Sequence, residues 1–144
     1  MIIINQLQKI MKNFFKLTLS MAMLFTIISC EKKSGAPDLN GTWELRHVAG
    51  IQVAGVDPNF KPGNGNFFKF EGEKFEKFND GKKSESGTFA LTPEDNVPVN
   101  NSKANYSISF NKGEKKYANL SDKKLVIFDG EIAADGTEST FEKQ

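Results

Sequence analysis

A single cysteine, Cys30, excludes an intramolecular disulfide. A single histidine, His47, leaves any metal centre dependent on several carboxylates converging on it. No basic patch and no interleaving of basic with aromatic residues stands out, so the chain does not read as a nucleic-acid binder. The longest apolar run, residues 17–28, is shorter than the roughly 20 residues a membrane-spanning helix needs. No window of about twelve residues carries an apolar stripe at helical period. Proline is scarce, with five residues, and strand-forming runs recur, so the chain does not read as disordered.

The N-terminal residues form a pattern of their own. Residues 9–16 (KIMKNFFK) are basic, residues 17–28 (LTLSMAMLFTII) are almost purely apolar, and Ser29-Cys30 ends the run. A basic stretch, a short apolar stretch and a small residue before a cut define a secretory signal over residues 1–29. Residues 11–30 alone make such a signal, which makes Met11 an alternative start to Met1. Ile27-Ile28-Ser29-Cys30 resembles the lipobox of bacterial lipoproteins. The resemblance implies lipid transfer to the Cys30 thiol, cleavage before Cys30 and a bacterial cell-envelope location with the bilayer as partner. Lys9, Lys12 and Lys16 are the only charges before Cys30, and their removal takes the formal charge from +1 to −2. Residues 30–38, polar with Gly35 and Pro37, read as a tether. A single domain is expected over residues 39–144.

That segment shows short runs at period 2 separated by turn signals. The expected strands are Thr42–Val48, Asn66–Phe70, Lys74–Asn79, Ser84–Leu91, Asn105–Phe110, Glu114–Leu120, Lys124–Phe128 and Thr137–Lys143. Asp80-Gly81 is a hairpin signal. Phe75 and Phe78, three apart, suggest a bulge. Residues 49–66 read as an irregular excursion whose Ile51, Val53, Val56 and Phe60 are placed to fold over an open barrel end. Residues 92–101, rich in Pro and Asn, read as a loop. Eight sequential antiparallel strands bury one face and lose their edges by closing into an up-and-down barrel. A β-sandwich is the alternative.

Leu39-Asn40-Gly41-Thr42-Trp43 and the strand that follows resemble the opening of lipocalin-like domains in small secreted bacterial lipoproteins. The resemblance, extended over residues 39–143, implies a turn role for Gly41 and a plug role for Trp43 at the closed end of a barrel. The late Arg that stacks on the lipocalin Trp has no counterpart, since Arg46 is the only Arg.

Enzymic chemistry finds little support. His47 lacks a His or Cys partner. Glu71, Glu73, Glu76, Glu85, Glu94 and Asp95 are scattered, and Glu73-Lys74 and Glu76-Lys77 read as a wet strand face. Asp129 and Asp135-Gly136 are too sparse for a calcium loop. Ser107 and Ser109 lack a nucleophile motif, and Gly63-Asn64-Gly65 has no Lys-Ser/Thr after it. No enzyme, cofactor or metal is expected. The aromatic content is the informative feature: thirteen Phe, of which only Phe14, Phe15 and Phe25 precede Cys30, plus Trp43, Tyr106 and Tyr117. Either these fill the barrel, or Phe68, Phe70, Phe89, Tyr106, Ile108 and Ile127 line a pocket for a small apolar or amphipathic ligand. Gly87 leaves room for strand bending or for that ligand. Val126 and Phe128 offer a face that competes with Ile127. A filled barrel would instead make the domain an interaction module with an envelope protein as partner.

Overall fold

The computed structural model describes residues 37–144. The expected signal segment and Cys30 lie outside the described residues, as does all of the expected tether except Pro37 and Asp38. Eight strands form in chain order: β1 Gly41–Ala49, β2 Phe67–Glu71, β3 Lys74–Asn79, β4 Lys82–Val99, β5 Ser102–Phe110, β6 Lys116–Leu120, β7 Lys124–Asp129 and β8 Thr137–Lys143. Each pairs with the next, and β8 returns to β1, so the sheet is a closed antiparallel barrel. Closure rules out the sandwich, because no pair of strand edges is left to separate two sheets. The unit Ala36–Gln144 contains every strand pairing and its own core, which is what independent folding requires.

Local chemistry sets the turns. Asp80 and Gly81 both take positive φ, 50° and 75°, the geometry that suits a tight hairpin to the twist of its strands. The register does shift beside Phe78, between Lys77 and Phe78, but the extra residue is on β4, where Lys77 pairs with Glu85 and Phe78 with Lys83. Phe75 and Phe78 therefore lie on opposite faces by plain alternation. Phe75 is in the core, and Phe78 stacks on Phe67 with centroids 4.3 Å apart.

Inside the barrel, Trp43, Phe68, Phe70, Phe75, Tyr106, Ile108, Leu120, Leu125, Ile127 and Phe141 form one cluster, with Phe89 and Phe110 packed against it. Trp43 is completely buried. Its indole N–H donates to the Leu39 carbonyl at 2.7 Å. The Lys143 ammonium sits 5.3 Å from the indole ring centre and donates to the Asp38 carbonyl at 3.0 Å. Lys143 thus supplies the cation over the Trp for which the sequence offers no Arg. Gly41 enters β1 with φ at +121°, and a Cβ there would come within 3.1 Å of the Lys143 stem.

Residues 92–101 are not the loop expected of them. β4 runs on through Pro93 to Val99, with its register against β5 shifted between Pro93 and Val97, and turns at Asn100. Pro93 sits at the irregularity, and Pro98, paired with Lys103 beyond it, lies where β4 has no β3 partner and its other side is a free edge. This arm lies against the outer face of the barrel. Val99, Ala104, Val126 and Phe128 form a second buried cluster with Val97 and Tyr117 against it. The Asn100 side chain reaches the β7–β8 connection, accepting from the Ile132 N–H at 3.0 Å. Val126 and Phe128 are thereby covered from outside while Ile127 faces the core, so β7 is apolar on both faces. At the kink, Glu94 accepts from Ser107 at 2.8 Å and pairs with Lys115 at 2.7 Å. Lys115 first, and then the Ser107 hydroxyl, hold Glu94 below the usual carboxylate range, and Glu94 raises Lys115 in turn.

The excursion between β1 and β2 does not cover the barrel end either. β2 pairs with β1 only from Gly41 to Glu44, which leaves an open edge beyond. The excursion fills it: Val48 donates to the Pro58 carbonyl and Phe60 to the Arg46 carbonyl, each at 2.9 Å, and Asn59 bridges to His47. Satisfying that edge fixes its path along the wall. Val53 and Val56 are 64% and 49% exposed rather than laid over the core.

Candidate functional site

One end of the barrel is plugged by Trp43, and the other is a shallow mouth with a cavity of about 270 Å³. Its apolar walls are Leu45, Phe68, Phe110, Ile127 and Phe141. Leu45 comes from the middle of β1, Phe68 from the start of β2, Phe110 and Ile127 from the C-terminal halves of β5 and β7, and Phe141 from the C-terminal half of β8. Phe68 forms the floor. Its ring lies 5.4 Å from Phe110, 5.3 Å from Phe141 and 5.5 Å from Phe70, so nothing opens deeper into the barrel beneath it.

Of the six residues expected to line a pocket, the mouth contains two, Phe68 and Ile127. Phe70, Tyr106 and Ile108 are buried in the packed interior. Phe89 is half-buried, edge-on to Phe70 at 4.9 Å, and does not line the mouth, although its cross-strand partner Phe110 does. The large rings consume the space that a deep pocket would need. Ile51, Val53 and Phe60 are not part of the mouth.

Gly87 has a different role from the one expected. It pairs with Phe75 on the inner face, but the room it leaves is taken by the Asn111 side chain. A Cβ at Gly87 would lie 1.6 Å from Asn111 Oδ1. That amide is tied on both sides: its oxygen accepts from the Thr88 N–H at 3.2 Å, and its nitrogen donates to Glu85 at 3.1 Å.

The sequence reading missed the polar part of the mouth. Lys77, Glu85, Lys116 and Asp129 all line it. Each occupies an inward position of its strand, two residues from Phe75, Gly87, Ala118 and Ile127 respectively. Parity with those residues is the signal that could have found them, because side chains i and i+2 share a face. Lys116 is paired to Asp129 at 2.5 Å. The Lys77 ammonium is 5.7 Å from the Phe68 ring centre, a cation–π distance.

Elsewhere the polar groups serve the fold. His47 Nδ1 meets Asn59 Oδ1 at 3.0 Å. The Asn59 backbone N–H, followed by its side-chain amide, holds Asp57 below the usual carboxylate range. Among the described residues, no three His, Cys, Asp or Glu side chains converge as a metal site would require.

No family model, no curated protein and no solved structure matches this chain. The fold and the site together define an eight-stranded antiparallel β-barrel with an aromatic-filled interior, one plugged end and a shallow amphipathic mouth.

Proposed function

We propose that this chain is an exported lipoprotein of the bacterial cell envelope whose lipocalin-like barrel binds a small apolar or amphipathic molecule at its mouth. The observation that carries the binding part is the mouth itself: about 270 Å³ walled by Leu45, Phe110, Ile127 and Phe141 above a Phe68 floor. A cavity near 150 Å³ already accommodates benzene, so there is room for one or two rings or a short acyl segment. The anchoring part rests on Ile27-Ile28-Ser29-Cys30. Two or more acyl chains hold a soluble domain at a bilayer where one would be marginal.

Each part has its own measurement. Intact-mass analysis of the native protein should give a chain beginning at Cys30 with acyl groups attached. A Cys30→Ser chain should keep residues 1–29, and an unmodified Cys30 in the native protein would end the lipoprotein reading. For the mouth, fluorescence titration of residues 36–144 with the neutral probe N-phenyl-1-naphthylamine should saturate with a micromolar Kd. Burial returns roughly 25 cal/mol per Å², while immobilising the ligand takes much of it back. Leu45→Phe places a larger side chain in the cavity, and it should weaken the probe several-fold at an unchanged melting temperature. The packed interior favours a second reading, an envelope interaction module without a small ligand. An absence of saturable binding in the wild type would select it.

A further inference from the structure

We infer that the molecule taken by the mouth is an amphipathic anion, an aromatic or short-chain carboxylate or sulfonate, and that Lys77 holds its charged end. This rests on the ligand-binding reading and narrows it.

Three observations lead there. Lys77 pairs directly with Phe68 in the β2–β3 register, so both project from the same, inner face. Its ammonium lies over the Phe68 ring, at the boundary between the apolar floor and the solvent-facing rim. A ligand with its apolar part against Phe68, Phe110 and Phe141 would bring a terminal anion to that height.

The second observation is what each charge at the rim is joined to. Lys116 is neutralised by Asp129. Among the described residues, Lys77 has no carboxylate within ion-pair distance. It is the cation of the mouth that the protein leaves uncommitted.

The third is the way its natural partner is occupied. Glu85 stands opposite Lys77 in the β3–β4 register, where opposite charges ordinarily pair across strands. The Glu85 carboxylate instead accepts from the Asn111 amide. Asn111 reaches it because Gly87 has no side chain, and Thr88 fixes it there. A glycine and an asparagine thus hold the acid away from the lysine. A cation kept from its acid neighbour beside an aromatic floor is placed to recognise an anion with an apolar body.

The test compares two probes with the same anilinonaphthalene body: 1-anilinonaphthalene-8-sulfonate, which is anionic, and neutral N-phenyl-1-naphthylamine. Both are titrated into residues 36–144 at low salt. Wild type should bind the sulfonate about five- to tenfold tighter, the scale of one charge-assisted contact at a partly wet rim. Lys77→Met should remove that preference by weakening the sulfonate alone, and Lys77→Arg should retain it. Gly87→Ala should act at a distance. Its methyl displaces the Asn111 amide, frees Glu85 to pair with Lys77, and weakens the sulfonate without weakening the amine. Near-UV circular dichroism checks that each variant keeps its packing, since loosened cores bind the sulfonate non-specifically. Equal affinities in wild type, or a Lys77→Met that weakens both probes alike, overturns the anion inference and leaves the pocket standing. Failure of both probes to bind removes the pocket and the inference together.

Discussion

Replacing Trp43 with Ala is expected to lower the unfolding free energy of residues 36–144 by about 3–5 kcal/mol, the usual cost of truncating a fully buried large aromatic. Trp43 has no exposed surface and closes the barrel end. Its loss empties the plug, leaves the Leu39 carbonyl without its indole donor and takes the ring from under Lys143. Small domains have only about 5–15 kcal/mol in total, so the variant should be near the edge of folding at ambient temperature. The check is a urea titration, in which the midpoint should fall while the slope is unchanged. Trp43→Phe should recover a large part of the loss, because it restores ring volume but not the hydrogen bond. A midpoint that hardly moved in the Ala variant would show that the plug does not hold the end closed.

Glu44→Ala should cost about 3 kcal/mol, at the low end of what breaking a buried ion pair does. The Glu44 side chain is buried on the outer face of β1, where its Oε1 accepts from the backbone N–H groups of Gly63 at 2.7 Å and Asn64 at 3.0 Å. Its Oε2 is 2.6 Å from Arg46 Nη1. That contact is an ion pair by distance but not an aligned hydrogen bond, so the two backbone donors carry most of the expected loss. Arg46 keeps a second carboxylate, Glu142 at 3.2 Å, which limits the damage. Amide hydrogen exchange should localise the effect. Protection should fall at the amides of Gly63 and Asn64 and at those of Val48 and Phe60 that pair the excursion with β1, while Tyr106 and Ile108 remain protected. Glu44→Gln should fall between the two, since its amide oxygen still accepts.

The strands were legible where one face is wet. Lys74–Asn79 and Thr137–Lys143 have the expected limits, and Tyr106 and Ile108 are buried as alternation requires, although Ser107 between them is buried too, bonded to Glu94 instead of facing water. Where both faces are covered the strand was legible but its inward face was ambiguous. Lys124–Phe128 reads as one apolar run, because Leu125 and Ile127 face the core while Val126 and Phe128 lie under the β4–β5 arm. The arm itself was hidden by its prolines, which read as a loop when a strand kinks at an irregularity. Nor does the sequence disclose where residues 49–66 go, since their path is set by an edge of β1 that exists only once the barrel has closed. At the mouth, alternation identified Phe68 and Ile127 but hid Lys77 and Glu85. Period-2 reasoning equates inward with apolar, and that equation lapses at the last rung of a barrel, where inward positions meet water. Cys30 lies outside the described residues.

The clasp between the two ends of the domain has a consequence for how the chain reaches this state. Lys143 bonds the Asp38 carbonyl across 105 positions of sequence, and β8 pairs along β1 beside it. Contacts of such span slow folding, because the entropy of closing the loop is lost before the contacts return anything. A polypeptide emerging N-terminus first from a ribosome can pair β1 with β2 early but holds the β8-facing edge of β1 unpaired until β8 is out. Throughout that interval the unpaired β1 edge is open to other chains, joined near its end by the apolar β7 segment. The competition between closure and aggregation is decided by the final seven-residue strand, Thr137–Lys143.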